Sequence, residues 1–347
     1  MILFILALGI FLIVAFVLLN LKRNRPNSYN KRIYEHTPNN PNRVIGDTAK
    51  EVIRRERVFG IFKKGLSYAF LTLIALCMVI PFYWMIVTSL KGQGELDLIS
   101  ATLYPGSGKY EIFIINYPIA LEKLKAARLI FNTVLVGVIS TIGTVITTVL
   151  SAFAFSRIKF FGREAIFALF LATMMIPGEM MVITNYITVT KTTQDLFGEW
   201  ANGIDSYWAM IVPFLISVYY IYLLRQNFKQ IPNELYYAAK VDGTSDFKYL
   251  LKVMIPIALP TIITITILKL MGSWNAYVWP MMITRDEDMR LITTGLRNTF
   301  KSDDGSGRTS QGPQMAATTV VTVPLLFVFI FLRKYIMRGV SRSGIKG

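Results

Sequence analysis

Of 347 residues, 53% are hydrophobic and only 17% are charged, with a mean hydropathy of +0.47, which excludes an ordinary soluble domain and points to a membrane protein. The formal charge of +16 suggests nucleic acid at first sight, but in a multispan chain Lys and Arg collect in cytoplasmic loops, so no nucleic-acid partner is expected. A single cysteine (Cys77), a single histidine (His36) and no G-x-x-x-x-G-K-[ST] loop exclude an intrachain disulfide, a Cys/His zinc site, a His-based triad and a nucleotide site of the phosphate-loop type.

Seven apolar segments are expected, at about 1–19, 66–90, 131–155, 165–189, 207–224, 255–283 and 313–335. The first, "MILFILALGIFLIVAFVLLN", is read as an uncleaved transmembrane helix. The alternative is a signal peptide, although the stretch lacks a basic start and is followed by Lys-Arg instead of a small-residue cleavage site. Residues 20–64 form a polar linker with Pro26, Pro38 and Pro41, ending in a basic stretch suited to an anionic cytoplasmic leaflet. This is the densest basic region, which sets the expected topology: N-terminus outside, 156–164, 225–254 and 336–347 inside, 190–206 and 284–312 outside.

In the third segment Thr133, Gly137, Ser140, Thr144, Thr147 and Ser151 recur at spacings of four and three. This is one helix face on which small side chains let a second helix approach closely. The loop 225–254 predicts a helix begun near Pro232, with Leu235, Ala238 and Ala239 on one side and a stop at Gly243. Thr244 or Ser245 is expected to cap a second helix through "DFKYLLKVM", and Pro256 and Pro260 mark the return into the membrane. In the sixth segment Lys269 lies near mid-bilayer, where a charge needs a partner or a wet cavity. Glu179, similarly deep in the fourth, is the candidate partner. Two readings stay open: a buried Lys269–Glu179 pair that holds helices in register, or a pathway lysine that attracts an acidic saccharide. The outer loop 284–312 carries enough Gly, Ser and charge to be a mobile, solvated connection.

Ala238-Ala239, three residues, Gly243, nine residues, then Val253-Met254-Ile255-Pro256 resembles the "EAA" loop (E-A-A-x3-G-x9-I-x-L-P) of ABC-importer permeases. Tyr237 stands where that pattern has Glu, and Glu234 lies one turn earlier. The resemblance covers roughly 66–347. "FNTVLVGVISTIGTVITTVLSAFAFSRIKFFGRE" and "MMIPGEMMVITNYI" look like the second and third core helices. "SWNAYVWPMMIT" matches the W-N-x-x-x-W-P signature of the maltose-transporter type, and "RGVSRSGIKG" resembles the G-x-x-x-G-x-x-K-G tail of its shorter permease.

The resemblance implies an all-α polytopic membrane protein: a six-helix permease core (65–335) preceded by one extra helix (1–19) and the linker, and followed by a cytoplasmic tail (336–347). It implies a non-catalytic subunit of an ATP-driven carbohydrate importer in a prokaryotic cell membrane. The partners implied are a second permease, a dimeric ATPase that carries ATP and Mg, an extracellular substrate-binding protein and a saccharide, in a lipid bilayer. ATPase coupling is assigned to Glu234, Tyr237, Ala238, Ala239, Asp242, Gly243 and Pro256. A tail contact with the ATPase is assigned to Gly344, Lys346 and Gly347. Trp274, Asn275, Tyr277 and Trp279 are assigned with Lys269 and Glu179 to the substrate path, the alternative for the aromatics being an interfacial belt. An ATP-independent solute or ion channel remains a second class. A membrane enzyme is a third, for which Asp286, Glu287 and Asp288 form the only dense acidic cluster, without a histidine.

Overall fold

The computed structural model describes residues 47–98, 102–106, 110–192, 204–300 and 311–341. The segments 1–19 and most of 20–64, and the tail residues Gly344, Lys346 and Gly347, lie outside the described residues. The chain divides into two compact units, Met1–Trp84 and Met85–Gly347. The described residues are helical or irregular, without a strand, as expected where backbone polar groups must be satisfied within the segment that crosses lipid.

In the first unit, helix α1 (Asp47–Ser89, running into the second unit) contains the 32-residue apolar stretch Val58–Ser89, ample for a bilayer. In the second unit the helices in chain order are α2 (Gln93–Leu96), α3 (Asn116–Lys123), α4 (Ala126–Ser156), α5 (Arg163–Thr173), α6 (Gly178–Ile187) and α7 (Tyr207–Ile211). Then follow α8 (Val218–Lys229), α9 (Asn233–Val241), α10 (Asp246–Tyr249), α11 (Ile255–Trp274), α12 (Val278–Ile283), α13 (Ile292–Thr299) and α14 (Gln311–Ser341). Among the described residues four helices are long and apolar enough to cross a membrane, or five if α7 and α8 with the 3-10 turn Val212–Phe214 make one bent span.

Helix α4 is the central post. It packs most extensively on α11 and α8, and its small-residue face is what allows it. Thr133, Gly137, Ser140 and Thr144 are buried, and Ser140 Oγ lies 3.3 Å from Ser273 Oγ on α11. A Cβ on Gly143 would come within 2.4 Å of Leu215 Cδ2, so glycine leaves room for the Leu215 side chain of the α7–α8 connection to rest in its present rotamer. One core joins Val149, Ala152 and Phe153 to Leu224 and Phe228 of α8 and to Tyr249, Leu250 and Met254 at the base of α11. Another holds α3, α13 and α14 together through Ala120, Leu124, Ile292, Ala316 and Ala317.

Three expectations are corrected. The segment 165–189 is not one helix but α5 and α6, parted at Met174–Pro177, because Pro177 disfavours helical geometry in the residue before it. The segment 255–283 likewise divides into α11 and α12. The loop 284–312 is not mobile through 284–300: the side chains at 285–288 are exposed, but the backbone is pinned along its length. Asp205, at φ +55°, accepts from the amides of Arg285 (2.6 Å) and Asp286 (2.9 Å). The buried Asn132 amide donates to the carbonyls of Asp288 (2.7 Å) and Arg290 (3.1 Å). Thr133 Oγ1 accepts from the amide of Ile292 at 2.8 Å, and Lys125 pairs with Asp288 at 2.9 Å. That hydrogen bond and charge hold the Asp288 carboxyl below the usual carboxylate range.

Candidate functional site

Two places gather the candidate residues: a cavity at the break in the bent span, and the exposed face of α9.

The helix following α7 ends at Phe214, and Ser217 caps the start of α8 by accepting from the amide of Tyr220. The two halves differ in direction by 43°. Such a break leaves carbonyls without their helical partners, which in lipid is tolerated only where other groups satisfy them. Here α4 and α11 do so. The Phe214 carbonyl accepts from Thr144 Oγ1 (3.0 Å) and from Lys269 Nζ (3.1 Å), and the Leu215 carbonyl accepts from Thr147 Oγ1 (2.6 Å). Two members of the small-residue face therefore do more than permit close packing. They hold open a non-helical turn at membrane depth.

A cavity of about 570 Å³ lies against this turn, bordered by Ser140, Phe214, Lys269, Ser273, Tyr277 and Trp279. That is within the size range of small-molecule sites. Trp279 is buried and fixed by a 3.0 Å hydrogen bond from its indole to the Ala209 carbonyl, and its ring meets Phe214 edge-on at 5.6 Å. Tyr277 carries the Arg297 guanidinium 4.8 Å over its ring. Among the sequence candidates Lys269, Tyr277 and Trp279 thus meet at one cavity. Trp274 and Asn275 do not border it. Trp274 packs against the α3–α13–α14 core and accepts from Thr293 through its carbonyl, while Asn275 ends α11 and bonds back to Met271. Glu179 is in the first turn of α6, and its side chain lies outside the described portion. Gly178, beside it, borders the cavity.

Helix α9 stands at the end of the α8 arm. Pro232 is its cap residue, with an extended ψ of 139°, so the helix begins at Asn233 and not within the proline turn. Gly243 follows in a left-handed conformation (φ +69°). No atom lies within 4 Å of the place a Cβ would occupy, so backbone geometry alone calls for glycine. Ser245 caps α10 by accepting from the Lys248 amide. Tyr236 donates to Asp246 at 2.7 Å and meets the Tyr249 ring edge-on at 5.2 Å, and Lys240 pairs with Asp246 at 2.9 Å. The Asp246 hydrogen bond holds the Lys240 ammonium above its ordinary range. These contacts tie one face of α9 to α10 and fix the turn between them.

The other face is open. Leu235, Tyr237 and Val241 are 43%, 53% and 88% exposed, with Glu234, Ala238 and Asp242 also exposed. Ala239 departs from the expected common side with Leu235 and Ala238: it turns inward and packs on the core. The exposed apolar strip is therefore built from Leu235, Tyr237, Ala238 and Val241. Pro256 sits in the first turn of α11, after the π-helical stretch Leu250–Met254.

Residues that the sequence reading does not single out hold this arm in place. Arg157, just past α4, is 6% exposed and donates to the carbonyls of Phe228 (2.8 Å) and Ile231 (2.6 Å) and to the side chain of Asn233. Arg225 on α8 is buried, pairs with Glu164 at 2.6 Å, donates to the Phe155 carbonyl at 3.1 Å and lies 3.8 Å over the Phe167 ring. Partial burial pushes the Glu164 carboxyl up, but Arg225, Lys229 and Arg163 outweigh it and hold it low. The short "SRIKFFGRE" between apolar runs is the available signal for both arginine contacts, and by composition alone it reads only as loop charge.

A family model described as "Binding-protein-dependent transport system inner membrane component" matches residues 144–342. The chain is 26% identical over 299 residues to the arabinooligosaccharides transport system permease protein AraQ of Bacillus subtilis (strain 168), covering 85% of this chain and 100% of that one. It is 28% identical to the polygalacturonan/rhamnogalacturonan transport system permease protein YtcP of the same organism, covering 81% and 97%. It is 27% identical to the sn-glycerol-3-phosphate transport system permease protein UgpE of Rhizobium meliloti (strain 1021), covering 80% and 96%. Among solved structures, a chain of a bacterial ABC transporter involved in the import of the acidic polysaccharide alginate superposes with a TM-score of 0.68 at 24% identity, covering 81% of this chain and 98% of that one. A chain of an alginate ABC transporter in complex with an alginate pentasaccharide-bound periplasmic protein superposes with a TM-score of 0.53 at 14% identity, covering 83% and 97%.

Proposed function

This chain belongs to the family of binding-protein-dependent transport system inner membrane components, and from that premise we propose that it is the permease subunit through which an ATP-driven importer moves a saccharide. The observation that carries the reading is the exposed strip of Leu235, Tyr237, Ala238 and Val241 on a helix whose opposite face is fastened to its neighbours. A rigid apolar surface held away from the core is suited to docking in another protein's cleft.

In the proposed mechanism α9, with Glu234, Tyr237, Ala238, Asp242 and Gly243, seats on a separate ATPase that binds ATP and Mg, while Ala239 and Pro256 anchor it from behind. Closure of the nucleotide-bound ATPase dimer draws this helix towards its counterpart in a second permease. The bundle then opens outward to receive saccharide from an extracellular binding protein. The coupling has content only if α9 binds the ATPase differently in the two states, which requires the helix to move as one body with α8 and α11. The Tyr236–Asp246, Arg157 and Arg225 contacts support that rigidity.

The cavity at Lys269, Tyr277 and Trp279 is proposed as part of the path. Aromatic faces suit the C–H surfaces of sugar rings, and the serines and the lysine suit hydroxyls. Relatives named for arabinooligosaccharides and polygalacturonan support a saccharide, beside others named for sn-glycerol-3-phosphate. In this topology α9 and the tail, with Gly344, Lys346 and Gly347, are cytoplasmic in a prokaryotic cell membrane. Purification of the chain from its native membrane tests the reading: an ATP-hydrolysing chain and a second permease are expected to co-elute. Retention of neither, with ATP-independent solute flux, would establish the channel class instead.

A further inference from the structure

Beside α9 lies a second cavity of about 410 Å³, bordered by Arg157, Lys159, Arg163, Asn233, Tyr237 and Lys240 and by no carboxylate. Arg163 and Lys240 have partners outside the lining, Glu164 at 3.0 Å and Asp246 at 2.9 Å. Arg157 and Lys159 make no ion pair among the described residues. Every acceptor of the buried Arg157 is neutral, and its Nε is buried without a hydrogen-bond partner. A buried guanidinium without a counter-charge is costly, so an anion in the adjoining cavity would offset a penalty the protein leaves open.

The loop that carries these cations also carries a membrane signature. Ile158, Phe160 and Phe161 are 37%, 40% and 102% exposed, directly beside Lys159 and Arg163. Gly162, left-handed at φ +75°, turns the chain there. Exposed apolar side chains interleaved with basic residues at the end of a spanning helix suit the bilayer interface, with the phenyl rings at the headgroup–acyl boundary and the cations towards phosphate.

We propose that this cavity holds the phosphate of an anionic lipid headgroup, with Phe160 and Phe161 in the adjoining leaflet and Arg157, Lys159 and Arg163 around the phosphodiester. The lipid then sits against Asn233 and Tyr237, and so ties the membrane surface to the start of α9. The siting in the inner leaflet rests on the proposed topology. The anion chemistry rests on the cavity, and the choice of a lipid on the exposed Phe160 and Phe161 beside it.

The test is retention of added lipid by the delipidated, detergent-purified complex, read by native mass spectrometry without ATP or saccharide, so that it is independent of any failure of the transport reading. Phosphatidylglycerol, phosphatidylcholine and inorganic phosphate are titrated separately. Lys159→Gln removes an exposed cation and Lys159→Glu puts a carboxylate in its place; the position is exposed and outside the proposed ATPase seat, so neither folding nor assembly is at issue. Preferential phosphatidylglycerol binding is expected, weakened roughly fivefold by Lys159→Gln, as for one basic residue near a membrane surface, and weakened further by Lys159→Glu. Equal phosphatidylglycerol retention by the wild type and both variants would overturn the proposal. So would binding of inorganic phosphate with no preference for phosphatidylglycerol over phosphatidylcholine, which would mark a site for soluble anions.

Discussion

Lys269 shows how a single residue can be flagged correctly by sequence and still have its partner hidden. A cation at mid-bilayer needs a partner, and hydropathy alone offers Glu179. What the structure adds is the Phe214 carbonyl at 3.1 Å, an acceptor that exists only because the helix breaks there. The break is inside a run that reads as one apolar segment, although Pro213 and the capping Ser217 mark its place in the sequence. The same carbonyl keeps Thr144 Oγ1 at 3.0 Å, so Lys269→Met removes one of two hydrogen bonds. The lost bond to an ammonium is worth about 1.5–3 kcal/mol, while the removed mid-bilayer charge costs about 2.5–3.5 kcal/mol, so thermal unfolding should change by no more than about 1–2 kcal/mol. Uptake of acidic oligosaccharides should fall further than uptake of neutral ones. Equal loss of both would count against charge selection at this position.

At the scale of the element, α9 is largely legible in the sequence. The alanine pair, the glycine stop and the cap at Ser245 are all in the spacing, and each has its counterpart in the structure. What the spacing cannot tell is which alanine faces out, because that depends on the angle at which α9 leaves α8. Arg157 and Asn233, far apart in sequence, set that angle. Gly243 is required by its φ of +69° and not by crowding. Gly243→Ala should therefore destabilise the α9–α10 turn by roughly 1 kcal/mol, the cost of a left-handed alanine. Faster amide exchange confined to α9 and α10 would register it; unchanged exchange there would contradict the backbone argument.

For the whole molecule, the order of apolar segments is readable because bilayer thickness imposes it. The divisions inside them are less so, although Pro177 and Gly178 stand in plain view at one. The loop 284–312 misleads for a different reason: its composition is that of a mobile connection, while its anchors, Asn132, Thr133 and Asp205, are distant in sequence. The Lys125–Asp288 pair contributes to that anchoring with a definite pH sense. Asp288 is held low by the Lys125 hydrogen bond, so its contribution is present above the unfolded carboxylate pKa, near 4, and is lost as pH falls through the lower folded value. Lys125 is raised by the same contact, so its side of the pair is retained until alkaline pH. Protection of the amides at 285–292, taken relative to the intrinsic exchange rate at each pH, should fall in acid below about pH 4, and Asp288→Asn should show the lower protection already at neutral pH. An Asp288→Asn protein as protected as the wild type at pH 7 would show that the pair does not anchor the loop.

At every scale the proposed coupling depends on α9 as a surface that transmits force to a partner, and Ala238 is at the centre of its exposed strip. Ala238→Arg places a long charged side chain there without touching the Tyr236–Asp246, Arg157 or Arg225 contacts, so the chain should still fold and insert. The decisive measurement is saccharide-stimulated ATP hydrolysis by the reconstituted complex carrying this substitution. Stimulation should be lost along with transport; stimulation at the wild-type level would contradict docking through α9.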